Sequence, residues 1–256
     1  RALSSAASDV YKRQLITSLW LCIACSKDDM PARDEFTDHN FIEFLHMKHK
    51  IPVTQDGKIN LDDEMTQLRL QSIVELRINP NDPIYKPIYD VTGIRNLVNL
   101  DYLSIYCEFK DLDVSNLKYL TVLTCWGKSI THLNIHNTPS LESLGLVGVD
   151  QVTSLDLSGH PRLKMLNCPN CKLSTLDLKD LPELSYLDCS DNHLSTLDAS
   201  GMKLNEMNSK LECGRQTDEN GKAQALYLIL SESQREAWED MSSSPYNEKV
   251  IVTFKP

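Results

Sequence analysis

The sequence lacks a long apolar run, an excess of basic charge and a dense set of cysteines. Its 256 residues carry 26 lysines and arginines against 36 aspartates and glutamates, a formal net charge of −10. An acidic balance of this size argues against a nucleic-acid partner. No apolar stretch approaches the roughly 18 residues of a membrane-spanning helix, and eight cysteines are too few for a disulfide scaffold in a chain of this length.

The first residues read as extraneous to the protein. The segment "SSAASDVYKRQ" (Ser4–Gln14) resembles the translation of a sequencing adapter rather than a natural amino terminus. We therefore expect residues 1–14 to be an artefact of gene assembly and leave them outside the fold.

The next segment resembles the signal of a bacterial lipoprotein. A ten-residue apolar run, 15–24, has the length of a signal-peptide core and precedes Cys25 directly. The match to the lipobox departs at Cys22, where a leucine is usual, and the acidic "SKDD" that follows is similar to the export tag of Bacteroidetes surface lipoproteins. The resemblance implies a truncated signal peptide and lipobox over 15–25. It also implies a lipid anchor on Cys25 and a place on the outer face of the outer membrane.

A repeat of 20–22 residues organises the middle of the chain. Close copies begin at Leu100, Leu120, Leu141, Leu163 and Leu184, with a partial copy from Leu204 and a looser one from Ile73. The close copies follow L-x-x-L-x-[LIC]-x-x-x-x-L and then L-x-[LIVA], with Lys110, Ile130 and Gln151 at the eleventh position of the first three. This pattern is that of the leucine-rich repeat, and the chain resembles leucine-rich repeat proteins of the Bacteroidetes surface-lipoprotein type.

The resemblance predicts an α/β leucine-rich repeat solenoid with a parallel concave β-sheet and a mostly non-helical convex side. In L-x-x-L-x-L the leucines point inward, while the intervening side chains point out from a short strand. We assign 26–69 to a tether and helical amino-terminal cap, 70–213 to the repeats, and 214–256 to a small α+β carboxyl-terminal cap. Such caps cover the apolar ends of a solenoid.

The repeat also explains "CPNC" at 168–171, which by itself could be half of a zinc site or a redox dithiol. Cys168 falls at the sixth, inward position, and Cys189 falls there one repeat later. Cys171 falls at the ninth position, which Asn192 occupies in the next copy. We therefore interpret these cysteines as structural residues with free, buried thiols.

Two features of the amino-terminal cap carry separate expectations. Asp38 is placed to cap a helix within 36–51. The following stretch, 52–63, resembles a calcium-binding EF-hand loop, but Pro52 and Thr54 stand where the ion needs oxygen-rich side chains. We expect this loop to have lost its calcium, and we expect no metal site and no cofactor elsewhere.

The sequence carries no signature of catalysis. It has no glycine-rich phosphate loop, no HExxH and no GxSxG. Cys189 beside His193 could suggest a thiol enzyme, but the repeat places Cys189 inside, where a nucleophile cannot reach a substrate. We expect no catalytic residues and no enzyme activity.

Recognition is the favoured function. Outward positions of the concave sheet gather large side chains, which are typical of binding hot spots. The predicted ligand-binding residues are Tyr102, Tyr106, Val122, Trp126, Met165 and Tyr186. The expected partner is a protein, such as a host or matrix protein. Capture of carbohydrate by the aromatic residues, or a scaffold role in a surface assembly, are the alternatives.

Overall fold

The computed structural model describes residues 34–106, 108–204 and 208–256. The predicted adapter segment, signal peptide and Cys25 lie outside the described residues, so those interpretations stay predictions. In the described ranges, no helix combines the length and the apolarity that crossing a membrane requires.

The described chain is made of short strands with a helix near each end. The strands are β1 (Glu75–Ile78), β2 (Tyr102–Tyr106), β3 (Asp111–Asp113), β4 (Val122–Trp126), β5 (His132–Asn134), β6 (Ser143–Val147), β7 (Met165–Asn167), β8 (Tyr186–Asp188), β9 (Thr196–Asp198), β10 (Lys210–Glu212), β11 (Leu226–Ser231) and β12 (Val250–Lys255). The α-helices are α1 (His39–His49), α2 (Glu64–Gln71) and α3 (Arg235–Met241).

Seven strands, one from each repeat, form a parallel sheet in the order β1-β2-β4-β6-β7-β8-β10. Fourth-position leucines pair across this sheet and are fully buried. They are Leu103, Leu123, Leu144, Leu166 and Leu187. Because one buried leucine per strand stacks on the next, the core runs the length of the repeats. The predicted leucine-rich repeat solenoid is confirmed.

The opposite side of each repeat is extended or turned rather than α-helical, as predicted. An Asp or Asn in the "L-D-x" segment accepts a hydrogen bond from the backbone N–H two residues later, at 2.9–3.1 Å. These residues are Asp113, Asn134, Asp156, Asp177 and Asp198. Such side-chain turns reverse the chain within a few residues, which a repeat of 20–22 residues needs.

The amino-terminal cap is two short helices joined by the loop that resembles an EF-hand. Asp38 caps α1 by accepting from the Phe41 N–H at 2.9 Å, as predicted. In the loop, the Thr54 hydroxyl donates to Asp56 at 2.6 Å. Asp63, the last residue of the loop, caps α2 by accepting from the Thr66 N–H at 2.7 Å. The loop's polar side chains are thus used for local turns and helix capping.

The carboxyl-terminal cap joins the back of the last repeats. β11 pairs with β9 and β12 in a three-stranded parallel sheet. A capping box links Ser231 and Gln234 ahead of α3, and Trp238 of α3 is buried. Gly214 makes a close backbone contact with the cap, since a Cβ there would lie 2.6 Å from backbone atoms of residues 246–248.

The last repeat departs from the frame predicted from Leu204. Lys210 pairs with Tyr186, 24 residues earlier, so the strand lies further along the chain than a copy starting at Leu204 would place it. Leu211 and Cys213 fill the fourth and sixth positions and are buried. The extra residues lie before the strand, where Asn208 adopts a positive φ of 70°.

Candidate functional site

The sheet brings the predicted ligand-binding residues onto one face, in two rows. The third-position row contains Tyr102, Val122, Ser143, Met165 and Tyr186. The seventh-position row contains Tyr106, Trp126 and Val147. Ser143 separates the large side chains of β2 and β4 from those of β7 and β8, so the predicted patch is two clusters rather than one.

Small side chains lie between the two rows. The fifth-position row pairs Ser104, Thr124 and Gly145 on β2, β4 and β6. At about 3.3 Å per residue, the large rows stand roughly 13 Å apart on either side of these small residues. On β2, β4 and β6 the outward face therefore has a shallow channel between the two rows, which ends where Arg77 and Asn167 occupy the fifth position.

Three large apolar side chains of the two rows are open to solvent. Trp126 is 37% exposed, Met165 40% and Val147 45%. Tyr102, Tyr106, Val122 and Tyr186 are half-buried. Exposed apolar side chains gathered on one sheet face are the kind of surface that partners cover.

Cations from neighbouring strands cover the two end tyrosines. The Arg77 guanidinium lies 4.1 Å from the Tyr102 ring centre, and the Lys210 ammonium lies 5.2 Å from that of Tyr186. Burial alone would lower the pKa of Lys210, but hydrogen bonds to Glu212 and Tyr186 raise it, so this cation stays charged. One face of each ring is thereby occupied, which weakens both tyrosines as stacking platforms for a sugar.

The acidic side chains near this surface are largely engaged within the protein. Glu142 pairs with Lys164 at 2.8 Å, and Asp191 pairs with Arg215. Asp188 accepts from the Ser190 backbone and hydroxyl at 3.1 and 2.7 Å. A partner that binds this face therefore contacts carboxylates that are already ion-paired or hydrogen-bonded within the protein.

The cysteines of "CPNC" lie in the core, as the repeat predicted. Cys168, Cys171 and Cys189 are free and buried. Burial raises the pKa of the Cys171 thiol to about 12 and that of Cys168 and Cys189 well above the ordinary value. Such thiols stay protonated and unreactive near neutral pH. Within the described ranges, no group of three His, Cys, Asp or Glu side chains is placed to hold a metal ion.

Sequence reasoning missed a hollow beyond the carboxyl ends of β2, β4 and β6. It has a volume of about 580 Å³, and its side chains include Tyr89, Tyr106, Glu108 and Lys128. Tyr89 lies between β1 and β2, where no repeat position points to it, and Glu108 follows β2 at the ninth position of the copy from Leu100, outside the two rows. Only Tyr106 was predicted as a ligand-binding residue.

A buried tyrosine lies near this hollow. The Tyr85 hydroxyl is buried without a hydrogen-bond partner among the described residues. Burial, followed by the charge of Glu108, raises the pKa of Tyr85 to about 12. The phenol is therefore neutral at physiological pH.

Comparisons with known proteins concern the repeat architecture. No protein-family model matches the chain, and no curated protein matches it. Among solved structures, it is similar to the functional domain of InlJ from Listeria monocytogenes, described as including a cysteine ladder, at 21% identity and a TM-score of 0.40. That match covers 74% of this chain and 44% of the InlJ chain, so the protein spans less than half of its length.

Two further internalins of Listeria monocytogenes show the same likeness. Internalin C2 is 19% identical with a TM-score of 0.41, and the match covers 88% of this chain and 99% of that one. An internalin termed InlF is 16% identical with a TM-score of 0.28, and the match covers 86% and 91%. At these identities and TM-scores the likeness carries no inference about the function of this chain.

Proposed function

We propose that the protein is a recognition module that binds a protein partner through the outward face of the seven-stranded sheet. The observation that supports this most directly is the exposure of Trp126, Val147 and Met165 on one face, beside a channel of small residues. Tryptophan is enriched among binding hot spots because it buries a large area at a small cost in side-chain entropy. A host or matrix protein suits this chemistry.

The size of the face sets a requirement on the partner. Six strand spacings of about 4.8 Å and a width of about 13 Å give roughly 380 Å². A stable interface covers about 800 Å² on each partner. The partner must therefore also contact the rim of the sheet, and a partner confined to the two rows would bind weakly.

Replacing Trp126 with alanine is expected to weaken binding at least about thirtyfold, since a central hot spot contributes about 2 kcal/mol or more. The test is surface plasmon resonance of the full chain against fibronectin, laminin and type IV collagen. Tyr119→Ala is the control, because Tyr119 is 62% exposed but belongs to neither row.

Each outcome of this test has a distinct meaning. Loss of binding in Trp126→Ala but not in Tyr119→Ala supports recognition by the sheet face. Binding that survives Trp126→Ala overturns that site. If the wild-type chain binds none of the three proteins, the scaffold alternative is favoured. That alternative predicts a stable assembly at the cell surface and no soluble ligand.

The proposed location is the outer membrane, with the protein held at the cell surface through lipid on Cys25. This proposal rests on the apolar run, the small residue before Cys25 and the acidic tag after it. In cells of a Bacteroidetes host fed labelled palmitate, we expect Cys25→Ser to lose the label and leave the membrane fraction. Cys22→Ser is the matched control and should keep both. Label retained by Cys25→Ser would contradict the anchor.

A further inference from the structure

The hollow at the strand ends differs from two other hollows of the protein in whether its charged side chains form ion pairs. A hollow of about 490 Å³ beside β1 includes Lys48, which pairs with Asp82 at 2.6 Å. Another, of about 420 Å³, includes Arg95, which pairs with Asp34 at 2.6 Å. In both, these charged side chains are paired with one another, although Lys110 of the second hollow has no side-chain partner among the described residues.

The strand-end hollow instead presents unpaired polar groups. Glu108 and Lys128 form no side-chain hydrogen bond or ion pair with any residue in the described ranges. The hydroxyl groups of Tyr89, Tyr106 and Ser129 likewise have no hydrogen-bond partner within the part of the chain that the structure describes. Glu108 is half-buried, and its carboxylate stays in contact with solvent. A ligand that supplies hydroxyl groups would give these polar groups hydrogen-bond partners in place of water.

Backbone geometry keeps the hollow open. Gly127 and Gly148 line it, follow β4 and β6, and adopt φ values of 117° and 69°. These conformations favour glycine because other residues are strained there. At Gly148 a Cβ would meet nothing within 4 Å, so the space above the backbone is free. The volume of about 580 Å³ lies within the range of small-molecule sites.

We propose that this hollow binds a short neutral oligosaccharide. A pyranose ring has an apolar C–H face that packs on aromatic rings and a rim of hydroxyl groups that both donate and accept hydrogen bonds. Tyr89, which is 63% exposed, and Tyr106 supply the rings. Glu108 accepts from sugar hydroxyls and Lys128 donates to them. Since the two charges balance, a neutral sugar fits better than a phosphorylated one.

This site is separate from the proposed protein-binding face. It shares Tyr106 with the seventh-position row, whereas Tyr89, Glu108 and Lys128 belong to neither row. The proposal therefore does not rest on the proposed function, and variants of Tyr89 and Glu108 test it without altering the sheet face.

The test is saturation-transfer NMR of the full chain with maltotriose, cellotriose and chitotriose, followed by titration of each sugar that binds. We expect at least one trisaccharide to bind with a Kd of about 1 mM or tighter. Tyr89→Ala and Glu108→Gln should each weaken it about tenfold, because each removes a stacking or charge-assisted contact.

The control is Tyr119→Ala, which removes a tyrosine of nearly the same exposure, 62%, outside the hollow. This variant should bind the sugar within about twofold of wild type. No binding of any of the three trisaccharides overturns the proposal. So does an equal loss in Tyr119→Ala, or a loss in Trp126→Ala with Tyr89→Ala unchanged, since that would place the sugar on the sheet face.

Discussion

Replacing Asn192 with alanine is expected to lower the free energy of unfolding by about 3 kcal/mol. The Asn192 side chain is fully buried, and its amide nitrogen donates to three backbone carbonyls at 2.9–3.1 Å. Its oxygen accepts from the Leu173 N–H at 3.0 Å. One side chain thus connects the backbones of two successive repeats.

The size of this loss depends on which groups would be left without a partner. The Cys189 carbonyl would keep the Gln216 amide, and the Ser190 carbonyl would keep the Asn170 N–H. The Cys168 carbonyl and the Leu173 N–H have no other hydrogen-bond partner among the described residues. Two orphaned buried backbone groups, at about 1–3 kcal/mol each, set the expected magnitude.

Urea unfolding followed by circular dichroism measures the effect. Asn220→Ala is the matched control, because Asn220 is exposed and its side chain makes no hydrogen bond within the described ranges. We expect that control to change the free energy of unfolding by less than about 0.5 kcal/mol. A loss of less than about 1 kcal/mol in Asn192→Ala would contradict the proposed bridging role.

Gln216 shows where sequence reasoning reached its limit. The polar, turn-rich composition of 214–224 is typical of a solvent loop, and residues 219–223 are exposed. Gln216, however, is buried and repeats the pattern of Asn192, donating to carbonyls of Cys189 and Cys213. Its position 24 residues after Asn192 was the available signal. The inserted residues before β10 had hidden that spacing.

The outward rows were predictable for a physical reason. Inward leucines at two fixed positions per repeat determine which residues between them point out, because successive side chains of a strand alternate. The pairing of Tyr102 with Val122 and of Tyr106 with Trp126 follows from that spacing. The spacing does not show which side chains stack on a tyrosine ring. The cation–π contact of Arg77 with Tyr102 was therefore not predicted.

The hollow was not predicted, because it combines an irregular segment with repeat positions outside the two rows. Tyr89 comes from the segment between β1 and β2, and Glu108 and Lys128 are the ninth residues of the copies that begin at Leu100 and Leu120. Tyr89 and Glu108 line the same hollow as Lys128 because the chain folds back over the strand ends. A pattern of spacings describes the regular sheet and gives no information about such irregular segments.

Alkaline pH is expected to destabilise the protein steeply, because buried thiols must stay neutral in the folded state. Burial raises the pKa of Cys168, Cys171, Cys189 and Cys213. Above the ordinary thiol pKa of about 8.5, the unfolded chain releases protons that the folded chain retains. The free energy of unfolding is thus unaffected by these groups below about pH 8 and falls by about 1.4 kcal/mol per pH unit for each thiol above it.

Four such thiols give a combined slope of about 5 kcal/mol per pH unit between roughly pH 9 and the raised folded-state values, which for Cys171 is about 12. The measurement is urea unfolding at about pH 8 and pH 10 with a reductant present. Cys168→Val/Cys189→Val is the matched variant, because Ile105 and Leu146 already occupy the same position in other strands. Removing these two thiols should lower the slope by about 2.7 kcal/mol per pH unit. An unchanged slope would show that other groups cause the alkaline unfolding, whereas a decrease of this size would assign it to the buried cysteines.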